Sequence, residues 1–348
     1  MKVQILPQIQ KNCFFYKYQR KVENIMLSKK DRRLSPEWVT GFTDAEGCFT
    51  ISVYRCNLEE TRQARARQPW IVVPCFEIEL PIRDLELLYL IRSFFNESGI
   101  ISVRKSRKSA IYQIRDLNSL MNEVIPHFNR YPLISQKQKD YKVFSMVLVP
   151  LLNNRQFSDR GIVKLKYLLN WSARTSSPQS ERLEEELSSL HTNHRLDNLG
   201  EASLLRVDYD LRDITCDWLS GFISGDGCFF VNIYKVKDCS TGYAVKLSIS
   251  ITQHLKDKVL MENIARILMC GRVYKHSKNT VVLKISTFKH LINTIIPLLE
   301  QYPIRGAKSR DFKDFCLIAS KVQTKTHLRI EGLEEIRKIK LGMNSRRS

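Results

Sequence analysis

The chain lacks any apolar run long enough to cross a membrane: its longest, residues 146–152, falls far short of the roughly 18–20 residues a spanning helix needs. It also lacks a C-x-x-C pair. The nine cysteines (Cys13, Cys48, Cys56, Cys75, Cys216, Cys228, Cys239, Cys270 and Cys316) are odd in number, which argues against both a disulfide framework and a zinc knuckle and leaves buried, reduced thiols as the expectation. His191 and His194 stand in an acidic stretch without partner cysteines, so no metal role is expected of them. The first 33 residues are basic, hold one serine (Ser28) and lack a small-residue cleavage site. They fit neither a secretory signal nor a typical transit peptide and are expected to be a basic arm or the remnant of an upstream reading frame.

Acidic residues are in short supply, 36 against 56 basic ones, for a formal net charge of +20. Such a balance says little about fold, but it makes a polyanion the natural partner. With 348 residues, 43% of them hydrophobic, the chain can bury a substantial core and is long enough for two domains.

What the chain does have is a repeat. Residues 35–54, SPEWVTGFTDAEGCFTISVY, match residues 215–234, TCDWLSGFISGDGCFFVNIY, at an offset of 180 without a gap. Downstream, residues 130–144, RYPLISQKQKDYKVF, match residues 301–315, QYPIRGAKSRDFKDF, at an offset of 171. A weaker echo joins the stretch at Gly161 to that at Gly332, each expected to precede a helical run. Matches in the same order at nearly the same spacing indicate a tandem duplication. Between the copies, residues 178–213 carry nine acidic and four basic residues, and without them 27 acids face 52 bases, so the basic charge belongs to the repeats. The expected organisation is a basic arm at 1–33, a first half at 34–175, a polar, acidic linker at 176–213 with one short helix at 180–190, and a second half at 214–348.

Each copy presents the same order of signals. Ser35, followed by Pro36, and Thr215 are N-cap residues for a first helix. Gly47 and Gly227 should end it, since glycine favours the position past a helix end. A strand with period-two alternation follows, Phe49, Ile51 and Val53 against Thr50, Ser52 and Tyr54, and correspondingly Phe229, Val231 and Ile233 against Phe230, Asn232 and Tyr234. Further strands are expected over 72–80, 101–104 and 111–115, and over 245–253, 273–275 and 281–286. Helices are expected over 84–95 and 117–128, and over 257–269 and 288–299. The fold class is therefore α+β: two pseudo-symmetric αββαββα halves, each an antiparallel sheet with helices on one face and the other face open.

Gly41 and Ala45, like Gly221 and Gly225, lie four apart on one helix face, a spacing that lets two helix backbones approach closely. If the two first helices pack together, their C-terminal ends lie side by side and bring Glu46 next to Asp226. Two neighbouring carboxylates resist joint ionisation unless a cation offsets them. Helix C-termini favour cations as well, and oxygen ligands without His or Cys suit Mg²⁺. A Mg²⁺ pair can clamp the attacking and leaving oxygens of a phosphodiester, and a lysine beside it can offset charge on the phosphate. Lys137 and Lys308, at equivalent places, are the candidates. An acid before a helix-ending glycine is ordinarily a surface residue; it is the repetition in register of both acids and both lysines that raises these above that reading.

Residues 39–47 (VTGFTDAEG) and 219–227 (LSGFISGDG), with the Cys-Phe and strand after each and the Tyr-Pro…Lys…Asp segments, resemble the two motifs of single-chain LAGLIDADG homing endonucleases. The resemblance covers about residues 34–346. It implies a pseudo-twofold monomer with the motif helices at the interface of the halves, and a saddle of strands in the DNA major groove over a long, asymmetric target. It implies hydrolysis of both strands with Mg²⁺, two or more divalent ions being bound; Mn²⁺ is expected to substitute, and Ca²⁺ to bind without supporting cleavage. The resemblance assigns Glu46 and Asp226 to metal binding with the carbonyls of Ala45 and Gly225, and makes Lys137 and Lys308 the active-site lysines. A polar residue late in the second strand orients water, a role that falls to Gln253; the first copy has Leu80 there. Ser224 stands where the first copy has Asp44, a position with a structural role.

The open strand faces are then the DNA readers: Thr50, Ser52, Tyr54, Ser102, Arg104, Gln113 and Arg115 in the first half. In the second they are Phe230, Asn232, Tyr234, Lys246, Ser248, Lys284 and Ser286. Arginine and glutamine can pair bidentately with guanine and adenine edges. Arg62, Arg65 and Arg67, in a loop, suit phosphate contacts. The same resemblance leaves two other readings, an RNA maturase that assists splicing of its own intron and a DNA-binding relic without cleavage. The presence of both acids and both lysines argues against the relic. No H-N-H cluster or Gly-rich phosphate loop points to another nuclease class. Family members of such basic composition are mostly organelle-encoded, which makes the mitochondrion the expected compartment and the plastid its alternative.

Overall fold

The computed structural model describes residues 33–55, 70–153, 161, 162, 165 and 213–344. The arm through residue 32, the loop with Arg62, Arg65 and Arg67, His191, His194, the short helix expected at 180–190 and most of the linker lie outside the described residues.

The first half opens with helix α1 (Pro36–Glu46), then β1 (Gly47–Arg55), β2 (Trp70–Pro81), α2 (Leu85–Phe94), β3 (Ile100–Arg104) and β4 (Ser109–Ile114). A continuous helix, α3, follows in three segments: Leu117–Ser119, a π-helical turn Leu120–Val124, and Ile125–Arg130. Helix α4 (Lys137–Leu152) comes next. The second half repeats the order with α5 (Cys216–Asp226), β5 (Gly227–Lys235), β6 (Tyr243–His254), α6 (Lys258–Leu268), β7 (Arg272–Lys275) and β8 (Thr280–Ile285). Its α7 again runs in three segments, Phe288–His290, the π turn Leu291–Ile295, and Ile296–Gln301. Helices α8 (Lys308–Gln323) and α9 (Ile330–Leu341) end it. Each π turn stands just before a proline (Pro126, Pro297), where the ring would crowd the carbonyl one turn back and the wider turn relieves it.

The sheets are antiparallel, in the orders β1-β2-β4-β3 and β5-β6-β8-β7. Alternation sends Phe49, Phe76, Ile78, Leu80, Tyr112 and Ile114 inward against α2, α3 and α4, and Phe229, Leu247, Ile249, Ile251, Leu283 and Ile285 inward in the second half. This agrees with the expected αββαββα halves and adds a long helix to each that the periodicity did not reveal, α4 and α8. Both are docked by an aromatic clamp. The Phe49 ring meets Tyr141 and Phe144 at 5.3 Å, and Phe229 meets Phe312 at 5.4 Å and Phe315 at 5.5 Å. Since Phe49 and Phe229 stand three residues after the motif acids, the clamp ties each lysine helix to its motif.

Three sequence expectations are corrected, while a fourth holds: the motif helices end before Gly47 and Gly227, in extended backbone (φ −75° and −72°). Glycine is needed there for space: a Cβ on Gly47 would lie 2.4 Å from Thr43 Cγ2, and one on Gly227 2.5 Å from Ile223 Cγ2. Arg115 and Ser286 sit one residue past the ends of β4 and β8. Gly332 lies inside the first turn of α9 rather than before it. Ser248, on the open face of β6 opposite Phe230, is buried at 7% exposure, as is Gln113 of β4 at 8%.

Candidate active site and nucleic-acid interface

Helices α1 and α5 meet at their glycines. A Cβ on Gly41 would lie 1.9 Å from the Trp218 carbonyl oxygen, and one on Gly221 2.1 Å from that of Trp38, so no larger residue fits at this separation. The approach continues to the helix ends, where a Cβ on Gly225 would lie 2.3 Å from Ala45 Cβ and 3.0 Å from Glu46 Cγ. The N-termini are also joined: Ser35 and Thr215 accept from the Trp38 and Trp218 N–H groups as N-caps, and Ser35 Oγ donates to Asp217 Oδ1 across the interface at 2.8 Å.

Glu46 and Asp226 therefore end side by side, half-buried, with Lys137 and Lys308 in the same charge cluster. Burial, then the Glu46 charge, push the Asp226 carboxyl up to about 7. Burial also raises Glu46, opposed by Lys308 and Lys137. Both lysines are pulled below the ordinary ammonium range by burial, against the pull of the acids. Lys137 Nζ donates to the carbonyls of Ala45 at 2.7 Å and Thr43 at 3.1 Å, placing a cation on the C-terminal carbonyls of α1. Gln253 Nε2 donates to Asp226 Oδ2. Leu80, its counterpart, is buried in the first half's core, so Glu46 lacks the equivalent amide.

Asp44 and Ser224 act structurally. Asp44, 1% exposed, accepts from Ile134 N, Ser135 N, Ser135 Oγ (2.6 Å) and the Trp218 indole (2.8 Å). Ser224 Oγ accepts from Arg305 N at 3.2 Å, the counterpart of the Ile134 contact. The donor set at the helix ends suits a hard divalent cation. Among the described residues no three His, Cys, Asp or Glu side chains gather. Two carboxylates, with the Ala45 and Gly225 carbonyls beside them, would leave most coordination positions of such an ion to water or phosphate oxygen, as Mg²⁺ prefers.

The interstrand register places Thr50, Ser52, Tyr54, Ser102, Arg104 and Gln113 on one open face, and Phe230, Asn232, Tyr234, Lys246, Ser248 and Lys284 on the other. The faces differ in charge. Glu77 and Glu79, not singled out from sequence, occupy the first: Gln113 donates to Glu77 at 2.7 Å and Arg104 pairs with Glu79 at 2.7 Å. No strand residue on the second face is acidic, and Arg272 and Thr252 join it there, both exposed. Strand parity in β2, β6 and β7 was the signal that could have found these residues.

Two αββαββα halves, joined back to back through their first helices with an acid from each at the base of the contact, define a duplicated α+β protein with one composite site. The sequence model of the LAGLIDADG endonuclease family matches residues 39–148 and 219–319, and the chain belongs to that family. A Neurospora crassa protein named "Probable intron-encoded endonuclease 2" is 30% identical over 88% of this chain and 64% of its own length, so the chain spans less than two thirds of that relative. The I-SmaMI LAGLIDADG homing endonuclease bound to cleaved DNA superposes with a TM-score of 0.77 at 32% identity, covering 91% of this chain and 99% of that one. The I-LtrWI LAGLIDADG homing endonuclease bound to target DNA gives 0.76 at 31% identity, covering 90% and 98%. I-SmaMI bound to an uncleaved DNA target in the presence of calcium ions gives 0.75 at 31% identity, covering 90% and 99%.

Proposed function

We propose that the chain is a site-specific homing endonuclease that hydrolyses both strands of a long, asymmetric DNA target with Mg²⁺ and so promotes mobility of its intron. The observation that carries this reading is the pairing of Glu46 and Asp226 on adjacent helix ends within one charge cluster with Lys137 and Lys308. When bound, divalent ions supply Lewis-acid stabilisation of the phosphodiester oxygens and a more acidic attacking water. Glu46 and Asp226, with the Ala45 and Gly225 carbonyls, hold the ions. Lys137 and Lys308 offset charge developing on the phosphates. Gln253 orients Asp226 and, through its remaining amide valence, a water.

The open faces of the two sheets bind the duplex, and their different charge suits an asymmetric target. One chain carries both halves of the site and acts as a monomer. Relatives whose names place them in an ND4 intron (Podospora anserina) and in Cox1 (Schizosaccharomyces pombe) support an organelle-encoded protein acting in the mitochondrion.

The test is a cleavage selection on a randomised duplex library with Mg²⁺, beside Glu46→Gln. The expected result is one long site cut by the unaltered protein alone, with Glu46→Gln still binding it in Ca²⁺. Normal metal-dependent cutting by the variant overturns the site assignment. No cutting by the unaltered protein, with tight binding to intron RNA, overturns the endonuclease reading in favour of a splicing factor.

A further inference from the structure

Asp84 and Asp257 close equivalent turns at the start of α2 and α6, where an aspartate ordinarily caps its own helix. Neither does so. Each reaches across the interface instead. Asp84 Oδ1 accepts from the backbone N–H of Ala307 at 2.5 Å, and Asp257 Oδ1 from that of Gln136 at 2.8 Å. Ala307 and Gln136 are equivalent residues, the N-caps of α8 and α4, and they immediately precede Lys308 and Lys137. Their own side chains make no capping hydrogen bond. The approach is close: Gly306 has φ +72°, and a Cβ there would lie 2.5 Å from Asp84 Oδ1. On the other side Ile134, 1% exposed, sits in the core of the second half.

We infer that Asp84 and Asp257 are positioning residues, each holding the N-terminal turn of the opposite half's lysine helix and thereby setting where that lysine's ammonium stands. The inference rests on the endonuclease reading for its kinetic consequence, not for its geometry. Each lysine helix is thus anchored by the core of its own half and by one aspartate of the other, so its N-terminal turn is completed by the interface. Because the pseudo-dyad relates the halves as a duplex dyad relates its strands, the consequence is crossed: an acid in one half governs the strand served by the other half's lysine.

The test uses the full chain carrying Asp84→Ala, Asp84→Leu or Asp84→Asn, and the same three changes at Asp257. Leucine keeps the volume without an acceptor, should alanine impair folding; asparagine keeps an acceptor oxygen. Amide hydrogen exchange and strand-resolved single-turnover cleavage of the selected duplex are measured. Asp84→Ala or →Leu is expected to speed exchange over 305–310 and to slow, on the order of ten- to a hundredfold, the strand that Lys308→Ala slows. The Asp257 variants do the same over 134–139 and for the strand that Lys137→Ala slows. The asparagine variants stay within a few-fold of the unaltered protein. Equal slowing of both strands, or unchanged exchange in the opposite half, overturns the inference. If the unaltered protein cuts no duplex, the endonuclease reading fails, and the exchange pattern alone decides the positioning: fast exchange confined to the opposite half's lysine helix supports it, and any other pattern overturns it.

Discussion

The Trp218 indole donates to Asp44 Oδ2 at 2.8 Å across the junction of the halves, whereas the indole N–H of its counterpart Trp38 is buried without a hydrogen-bond partner among the described residues. The difference lies at the position facing each ring. The first copy has Asp44, long enough to take the indole and both N–H groups of Ile134 and Ser135. The second has Ser224, whose hydroxyl instead donates to the Ser220 carbonyl and accepts from Arg305 N. Asp44→Ala should therefore cost about 3 kcal/mol of stability, because several buried donors lose their acceptor together. Ser224→Ala, which strands one backbone N–H, should cost about 1 kcal/mol. Urea unfolding checks both, and equal effects would contradict this account.

Gly41→Ala and Gly221→Ala should each destabilise by about 3 kcal/mol, since the new methyl meets rigid helix backbone and the helices must separate. Gly242 is the contrast: its φ is +72°, but nothing lies within 4 Å of its added Cβ, so alanine there should cost only about 1 kcal/mol of backbone strain. Thermal unfolding of the three variants orders them.

Asp226 should make the metal-free protein pH-sensitive. Its folded carboxyl, at about 7, binds a proton more tightly than the ordinary carboxyl at 3.8, so the folded state holds the extra proton between those values. Its contribution to stability is fully present below about pH 4 and is lost as pH rises towards 7. On the proposed metal role of Asp226 a divalent cation has to displace that proton, so the increase in melting temperature given by Ca²⁺ should grow with pH and level off above about 7. Gln253→Leu removes an amide donor from the carboxylate and should move that midpoint upward, while Asp226→Asn should abolish it. A Ca²⁺ effect independent of pH would contradict the assignment.

Binding to the selected duplex should weaken steeply with salt. If about ten phosphates are neutralised, log K falls with log salt at a slope near −9. Fluorescence anisotropy between about 50 and 200 mM salt measures it, and a nearly flat line would count against DNA as the main partner.

The amino-acid sequence by itself determined the duplication, the αββαββα order, the open strand faces and the meeting of Glu46 with Asp226. These follow from local signals repeated in register: N-caps at Ser35 and Thr215, strand alternation, and glycines at a four-residue spacing. Tertiary structure alone decided how the halves hold each other. Asp84 and Asp257 look in sequence like ordinary caps of their own helices, and only the docked interface turns them towards Ala307 and Gln136. Helices α4 and α8 escaped the periodicity because they are held by aromatic contacts to Phe49 and Phe229 from distant strands. Gly47 and Gly227 were placed correctly, and the packing adds the reason glycine stands there: a Cβ would meet the side chain four residues earlier, Thr43 or Ile223.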